Sequence, residues 1–381
     1  MILGYGAKNF LSFKEGMEIS FRLKKGCPEE ISMGKNYSTI LCVKGANASG
    51  KTNALKVLSF IREVCCNSFN NKPEDEFKFE TYFFNKKRSV FFVEFCDNNV
   101  EYKYELELNK KQIYREALYR KKKRPITVFE RIENSIRSRI REFNEIDNIK
   151  LRNNASIIST AYQYELPVFR KIYKFFVTII LNADYSTGLP EQPLSIDLIT
   201  KYYYFNQEEF EFAKDIIKKC DLGIVDIEIE ERLDDKDQKK HVPLFMHEIK
   251  NKRHHISYYD ESSGTKSLYR QLCSYFIVLK KYGGVLVSDE FDINLHPDIL
   301  PFLIQLFTDK KTNKKNAQLL FTTHNSNILD TLGQHRTVLV NKDENESYLY
   351  RLDEIPGDMI RNDRPIEPIY RSGKIGGVPR I

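Results

Sequence analysis

The spacing of apolar positions changes repeatedly along this chain, and each change predicts a different element. Tyr37 to Val43 reads YSTILCV, a short β-branched run suited to a buried strand. After a glycine-containing gap, Ala54, Leu55, Val57, Leu58 and Ile61 recur at helical spacing. Residues 1 to 60 therefore predict strand, turn, strand, loop and helix. From 77 to 132 the period shortens to two. Val90–Cys96 and Glu101–Leu108 read as antiparallel strands that return through Tyr119 and Val128, with the basic stretch Arg120–Pro125 as a hairpin tip. Residues 133 to 222 predict a mainly helical segment with aromatic-rich stretches at Phe169–Leu181 and Tyr202–Phe212. From 223 the pattern predicts two strands around the charged turn Asp234–Lys240, a helix from Thr265 and a strand over Gly284–Ser288. A helix from Asp298, a strand over Gln318–Thr322 and a helix from Ser326 follow. No internal repeat or low-complexity tract interrupts this order. The fold class is α/β with a mixed central sheet. Residues 1–132 carry its first part and an antiparallel β subdomain, 133–222 a helical insertion serving as lid or sensor, and 223–381 its second part.

The gap before the first long helix is Gly45-Ala46-Asn47-Ala48-Ser49-Gly50-Lys51-Thr52, which fits the phosphate-cradling pattern G-x-x-x-x-G-K-[ST]. Its position between strand and helix gives the pattern a mechanical meaning. Glycines let backbone N–H groups turn toward a phosphate, and the helix adds the positive end of its dipole. The candidate nucleotide contacts are Gly45, Ala46, Asn47, Ala48, Ser49, Gly50, Lys51, Thr52 and Asn53. Lys51 would reach the β- and γ-phosphates of a bound nucleotide, and the Thr52 hydroxyl would take a Mg²⁺ position. A second element is the apolar strand VLVS ending in Asp289-Glu290. Beside a P-loop strand, Asp289 would join Thr52 at the metal and Glu290 would stand where an attacking water loses its proton. A third is His324, which follows another apolar strand and could orient that water or sense the γ-phosphate. A fourth is Ser262-Ser263-Gly264, a serine-glycine turn ahead of an amphipathic helix that carries Leu268, Leu272 and Phe276.

Composition adds limits. The 60 basic and 53 acidic side chains leave a formal net charge of +7, which permits an acidic partner without demanding one. Seven cysteines without C-x-x-C spacing point to a reduced, cytoplasmic protein. The start MILGYGAKNF lacks the features of a secretory signal, and no run approaches the ~18 apolar residues of a membrane span, so no membrane partner is expected. The basic tip, with Arg115, Arg131, Arg137, Arg139 and Arg141 nearby, makes 115–141 the candidate region for nucleic-acid phosphates. His241, His247, His254 and His255 are scattered without metal-ligand spacing. Asn341-Lys342-Asp343-Glu344 reads as a turn, and Gly373–Ile381 as either a flexible tail or a partner-docking strand.

Taken in order, P-loop, serine-glycine turn, acidic strand end and strand-end His resemble the ABC-type ATPase heads of chromosome-maintenance, recombination and repair proteins. That resemblance implies that Ser262, Ser263 and Gly264 of one subunit contact the γ-phosphate bound to another, with ATP sandwiched in a homodimer or higher oligomer. Asp292-Ile293-Asn294-Leu295-His296-Pro297 then corresponds to the subunit-facing loop. The turn departs from L-S-G-G-Q, and no glutamine loop is recognisable between the P-loop and the insertion. A narrower resemblance runs through KNFLSFKEGMEISF, GANASGKTN, ESSGTKSL, SDEFDINLHP, FTTHNSNILD and YRSGKIGGVP. These are similar to the stand-alone, OLD-like ABC ATPases of bacterial abortive-infection and antiphage systems. Such a resemblance implies ATP and Mg²⁺ as ligands and a separately encoded effector, a Toprim-type nuclease or a toxin. Too few residues follow His324 for a Toprim domain, so a nuclease is expected in trans. The alternative expectation is a recombination or repair ATPase that clamps DNA itself.

Overall fold

In the computed structural model the described residues are 1–182, 195–221, 223–233, 237–357, 359–361 and 364–378. In chain order the elements are β1 (Ile2–Lys8), β2 (Met17–Ser20), α1 (Glu29–Ser32), β3 (Ile40–Gly45) and α2 (Lys51–Asn67). Next come β4 (Ser89–Asp97), β5 (Val100–Leu108), β6 (Ile113–Lys121), β7 (Pro125–Ile132), β8 (Ser135–Arg139), α3 (Ile157–Gln163), α4 (Arg170–Val177) and β9 (Ile179–Leu181). They are followed by α5 (Ile196–Phe205), α6 (Gln207–Cys220), β10 (Ile224–Leu233), β11 (Lys239–Ile249), β12 (Lys252–Ser257) and α7 (Ser263–Phe276). The last are β13 (Val285–Ser288), α8 (Ile299–Thr308), β14 (Gln318–Thr322), α9 (Ile328–Leu332), β15 (Thr337–Asp343), β16 (Glu346–Arg351) and α10 (Glu367–Arg371).

The central sheet has the order β16-β15-β3-β14-β13-β9. It is parallel throughout except for the β15–β16 hairpin. Strands buried on both faces read as continuous apolar runs, and here successive residues divide between two cores. Leu41, Val43, Val285, Val287 and Leu320 face the core built with α2, whereas Ile40, Cys42, Leu286, Leu319 and Phe321 face the core built with α7 and α8. On its other side α2 meets the antiparallel sheet β2-β1-β4-β5-β6-β7-β8 through an aromatic cluster. Phe60 of α2 lies 4.7 Å from Phe91 and 4.9 Å from Phe79, centroid to centroid, in the tilted arrangements aromatic rings favour. The P-loop helix is thus held between two sheets.

Residues 133–222, expected to be mainly helical, contribute two strands. β8 extends the antiparallel sheet, and β9 is an edge strand of the central sheet beside β13. Within the aromatic-rich stretch Phe169–Leu181, α4 ends at Val177 with Thr178 as its C-cap. The Thr178 carbonyl accepts from Val285 N at 3.0 Å, which hooks the next three residues into parallel pairing. Between 223 and α7 the described residues hold three strands, β10, β11 and β12, not the two expected. β12 escapes a hydropathy reading because KRHHIS has no alternation, and its hairpin turns on Lys250 and Asn251 at φ 49° and 61°. Asn341, Lys342 and Asp343 lie in β15, and the turn itself is Glu344-Asn345. Asp234, Asp235 and Lys236 of the expected turn Asp234–Lys240, and Pro190 and Pro193 of the insertion, lie outside the described residues, while Lys239 and Lys240 already belong to β11. No helix among the described residues is long and apolar enough to cross a membrane.

Candidate functional site

Four parallel strands, β3, β14, β13 and β9, end on the same edge of the central sheet, where the crevice beyond strand C-termini accepts ligands. The loop after β3 closes on α2 with Ala48 at φ 60° and Gly50 at φ 113°. Gly50 has no substitute there. A Cβ would meet Ser347 Oγ at 2.6 Å and Ser12 Oγ at 2.9 Å. Those neighbours prop the loop from outside, since Ser347 Oγ donates to the Ser49 carbonyl at 2.6 Å and Asn53 Nδ2 donates to Ser12 Oγ at 2.8 Å. Asn53, expected among the nucleotide contacts, thereby ties α2 to the β1–β2 loop.

Lys51 stands at the first turn of α2, buried, with Nζ donating at 2.9 Å to both the Gly45 and Ala46 carbonyls. Burial pushes its ammonium below the ordinary lysine value, against the opposing pull of Asp289 and Glu290. Ser49 Oγ is buried without a hydrogen-bond partner. An orphaned hydroxyl and a lysine folded back onto loop carbonyls suit a cradle that receives phosphate oxygens. The next side chain, Thr52, donates from Oγ1 to Asp289 Oδ2 at 2.7 Å. Thr322, at the end of β14, donates to Asp289 Oδ1 at 2.5 Å and accepts from Glu290 N at 2.7 Å. Thr52 and Asp289 are therefore the pair that could hold a divalent cation. Glu290 sits at φ 50°, a strained value for a non-glycine residue, and its side chain is exposed just past Asp289. His324 is exposed two residues past β14.

The structure thus brings Lys51, Thr52, Asp289, Glu290 and His324 to one edge. Ser262, Ser263 and Gly264 lie at the start of α7, with no described hydrogen bond to those five residues. Ser262 caps that helix, its Oγ accepting from Thr265 N at 3.1 Å, while Ser262 and Ser263 stay exposed. A Cβ on Gly264 would meet the Asn294 carbonyl at 2.8 Å, so the turn packs directly on the loop that follows Asp289-Glu290.

Three residues that sequence reasoning missed support these groups. Asn182, just past β9, accepts from Asp289 N at 2.6 Å and donates to the Asp289 carbonyl at 2.9 Å, clamping the acidic strand end from the neighbouring strand. His247 Nε2 lies 2.6 Å from Glu261 Oε1, and the other oxygen of that carboxylate accepts from Ser262 N at 3.3 Å. Asp221 Oδ2 accepts from Thr265 Oγ1 at 2.7 Å. An Asn ending an apolar triplet was the available signal for the first. His247 and Asp221 carry none, because their partners are distant in sequence.

The basic region 115–141 is largely engaged with acids. Arg131 is fully buried against Glu116, Arg115 lies 2.8 Å from both Glu105 and Glu130, Arg120 pairs with Glu142 and Arg139 with Asp147. Alternation across a paired sheet places acids opposite these arginines, which a linear charge count does not reveal. Only the tip residues Lys122, Lys123 and Arg124 and the more distant Arg141 stay exposed without a described ion pair.

Residues 40–330 match the protein family described as "AAA domain, putative AbiEii toxin, Type IV TA system". No curated protein matches the sequence. Among solved structures, the chain is similar to a SmcHead crystallised with the C-winged helix domain of ScpA, at 14% identity and a TM-score of 0.51 over 92% of this chain and 97% of that one. That likeness shows the fold. A second neighbour is the SMC head domain from Thermotoga maritima, at 16% identity and a TM-score of 0.45 over 92% of this chain and 98% of that one.

Proposed function

We propose, from the premise that this chain belongs to that family of AAA domains and is an ABC-type ATPase of the abortive-infection kind, that it hydrolyses ATP in a nucleotide-closed dimer to control a separately encoded toxin or nuclease. The observation that carries the reading is the Thr52–Asp289–Thr322 chain of hydrogen bonds, which joins the P-loop helix to two strand ends across the central sheet. Lys51, released from the Gly45 and Ala46 carbonyls, would neutralise the terminal phosphates. Thr52 and Asp289 would hold Mg²⁺, which when bound polarises the phosphoryl oxygens. Glu290 would take the proton of the attacking water, and His324 would orient that water or register the γ-phosphate. The exposed Ser262 and Ser263, with Gly264, would close the nucleotide of a second copy. Engagement of most arginines of 115–141 with acids favours effector control over a DNA clamp.

Purified protein should hydrolyse ATP in a Mg²⁺-dependent manner, Lys51→Ala should abolish turnover, and Glu290→Gln should accumulate an ATP-bound dimer visible by light scattering and disrupted by Ser262→Arg. Wild-type turnover by Lys51→Ala would overturn the site. Co-expression with the neighbouring gene product should yield a complex whose toxicity depends on Lys51 and Glu290. Phage protection by this chain alone, after deletion of its neighbours, would overturn effector control.

A further inference from the structure

Lys44 is the last β3 residue before Gly45 and only 2% exposed. No carboxylate lies within ion-pair distance among the described residues. Its ammonium is 3.0 Å from the His324 carbonyl and 3.5 Å from that of Thr323, and lies 5.2 Å from the centroid of the Tyr370 ring. Burial pushes the ammonium below the ordinary lysine value despite the pull of Asp292, with Lys51 and Arg371 adding repulsion, and an aliphatic side chain would fill the same space without that cost. What the lysine adds is a fixed hold on the two residues that end at His324. The His324 side chain is exposed, so the backbone sets its location.

Tyr370, in α10, stands just ahead of the Gly373–Ile381 stretch that the sequence leaves open between a flexible tail and a partner-docking strand. Through Val378 that stretch packs against its own chain. Ile360, Ile366, Tyr370 and Ile375 share a core with Leu329, Leu339 and Leu352. The Ile366 and Glu367 N–H groups donate to Asp330 Oδ1 at 2.6 and 3.0 Å. Tyr370 Oη donates to the Gly377 carbonyl at 2.8 Å, Gly377 N donates to Asn341 Oδ1 at 2.7 Å, and Tyr350 Oη donates to the Ile375 carbonyl at 2.6 Å. The segment is strapped across α9 and the β15–β16 hairpin and lays one ring over Lys44.

We infer that Lys44 is a positioning residue for His324 and that the strap Ile366–Val378 keeps it in place, which makes the C-terminal segment part of the hydrolytic site of its own chain. This rests on the hydrolytic reading above.

The test is a double-mutant cycle on ATP turnover. Lys44→Met should lower kcat about tenfold or more, as expected when a catalytic group is displaced by an ångström or so. Affinity for MgADP, which lacks the phosphate that His324 would face, should stay within about twofold in the same variant. Combined with His324→Ala, Lys44→Met should cause no further loss, because both changes remove one effect. Lys44→Arg should restore part of the rate. Should Lys44→Met fail to fold, Tyr370→Leu supplies the same test from the strap side. Multiplicative losses in the double variant would overturn the inference. So would a Lys44→Met kcat within about twofold of wild type while Lys51→Ala abolishes turnover. Turnover that survives Lys51→Ala would instead overturn the hydrolytic reading, and this inference with it.

Discussion

Replacing Asn182 by Ala removes the one side chain that satisfies both backbone groups of Asp289. Asp289 N loses an acceptor at 2.6 Å, and its carbonyl loses a donor at 2.9 Å. A buried polar group left unpaired costs about 1–3 kcal/mol. Asn182 is only half-buried, so water can replace part of what is lost, and the lower end applies: about 2 kcal/mol for the two groups together. In a chain of this size that lowers Tm by only about 2–3 °C. Catalysis should suffer more than stability. The Asp289 carboxylate keeps Thr52 and Thr322 but loses the backbone anchor that aims it, and a shift of a fraction of an ångström costs about tenfold in rate. The assay is ATP turnover across a Mg²⁺ titration, with thermal melts on the same samples. Asn182→Ala should lower kcat about tenfold and raise the Mg²⁺ concentration for half-maximal rate. Asn182→Asp should do worse, since it cannot donate to the carbonyl and adds a like charge beside Asp289. A folded Ala variant with wild-type kcat and Mg²⁺ requirement would show that the strand-to-strand clamp does not position Asp289.

Two further predictions concern buried charge. Arg131→Met should destabilise the fold by about 3–5 kcal/mol in urea, because Glu116, fully buried and already pushed up by that burial, loses its cation. Adding Glu116→Gln should recover part of the loss, and a single-variant cost below about 1 kcal/mol would refute the pairing argument. For Asp353, burial alone would raise the carboxyl, but hydrogen bonds from His335 and Arg351 and the Arg351 charge hold it at about 2, below its ordinary 3.8. A depressed folded value means stability that is present above about pH 4 and drains away as pH falls toward 2. The Tm gap between wild type and Asp353→Asn should therefore close across that window, and a gap constant down to pH 2 would contradict it.

The parts of the site legible in the sequence are those whose chemistry is local. The P-loop is one string between strand and helix, Asp289-Glu290 ends an apolar run, and His324 follows another. In the last two the motif residues lie within two positions of the strand end, and in the first Lys51 and Thr52 open the helix that follows the loop. What escaped reading depends on pairing. Arg131 looks like one of several surface arginines until β6 and β7 align and bury it on Glu116. β12 has no apolar alternation because its packing is mostly outward, with only Ile256 and Ser257 less than exposed. Lys44 looks like the polar end of a strand until α10 arrives from more than three hundred residues away.

Asn182 shows the physical reason most sharply. Along the chain, the strands that end at the site run β3, β9, β13, β14. In space they run β3, β14, β13, β9, because each parallel crossover is free to add a strand beyond the last or to slip one in between. A search for a P-loop partner near the P-loop in sequence therefore looks in the wrong place. β14, nearly three hundred residues downstream, inserts beside β3 and supplies Thr322 between the P-loop and Asp289. β9 is left on the far side of β13, so the residue after it meets Asp289 and not the phosphate loop. The same insertion explains why Thr322 serves both acids at once. It stands between the P-loop strand and the acidic strand, so any displacement of β14 is felt by Asp289 and Glu290 together.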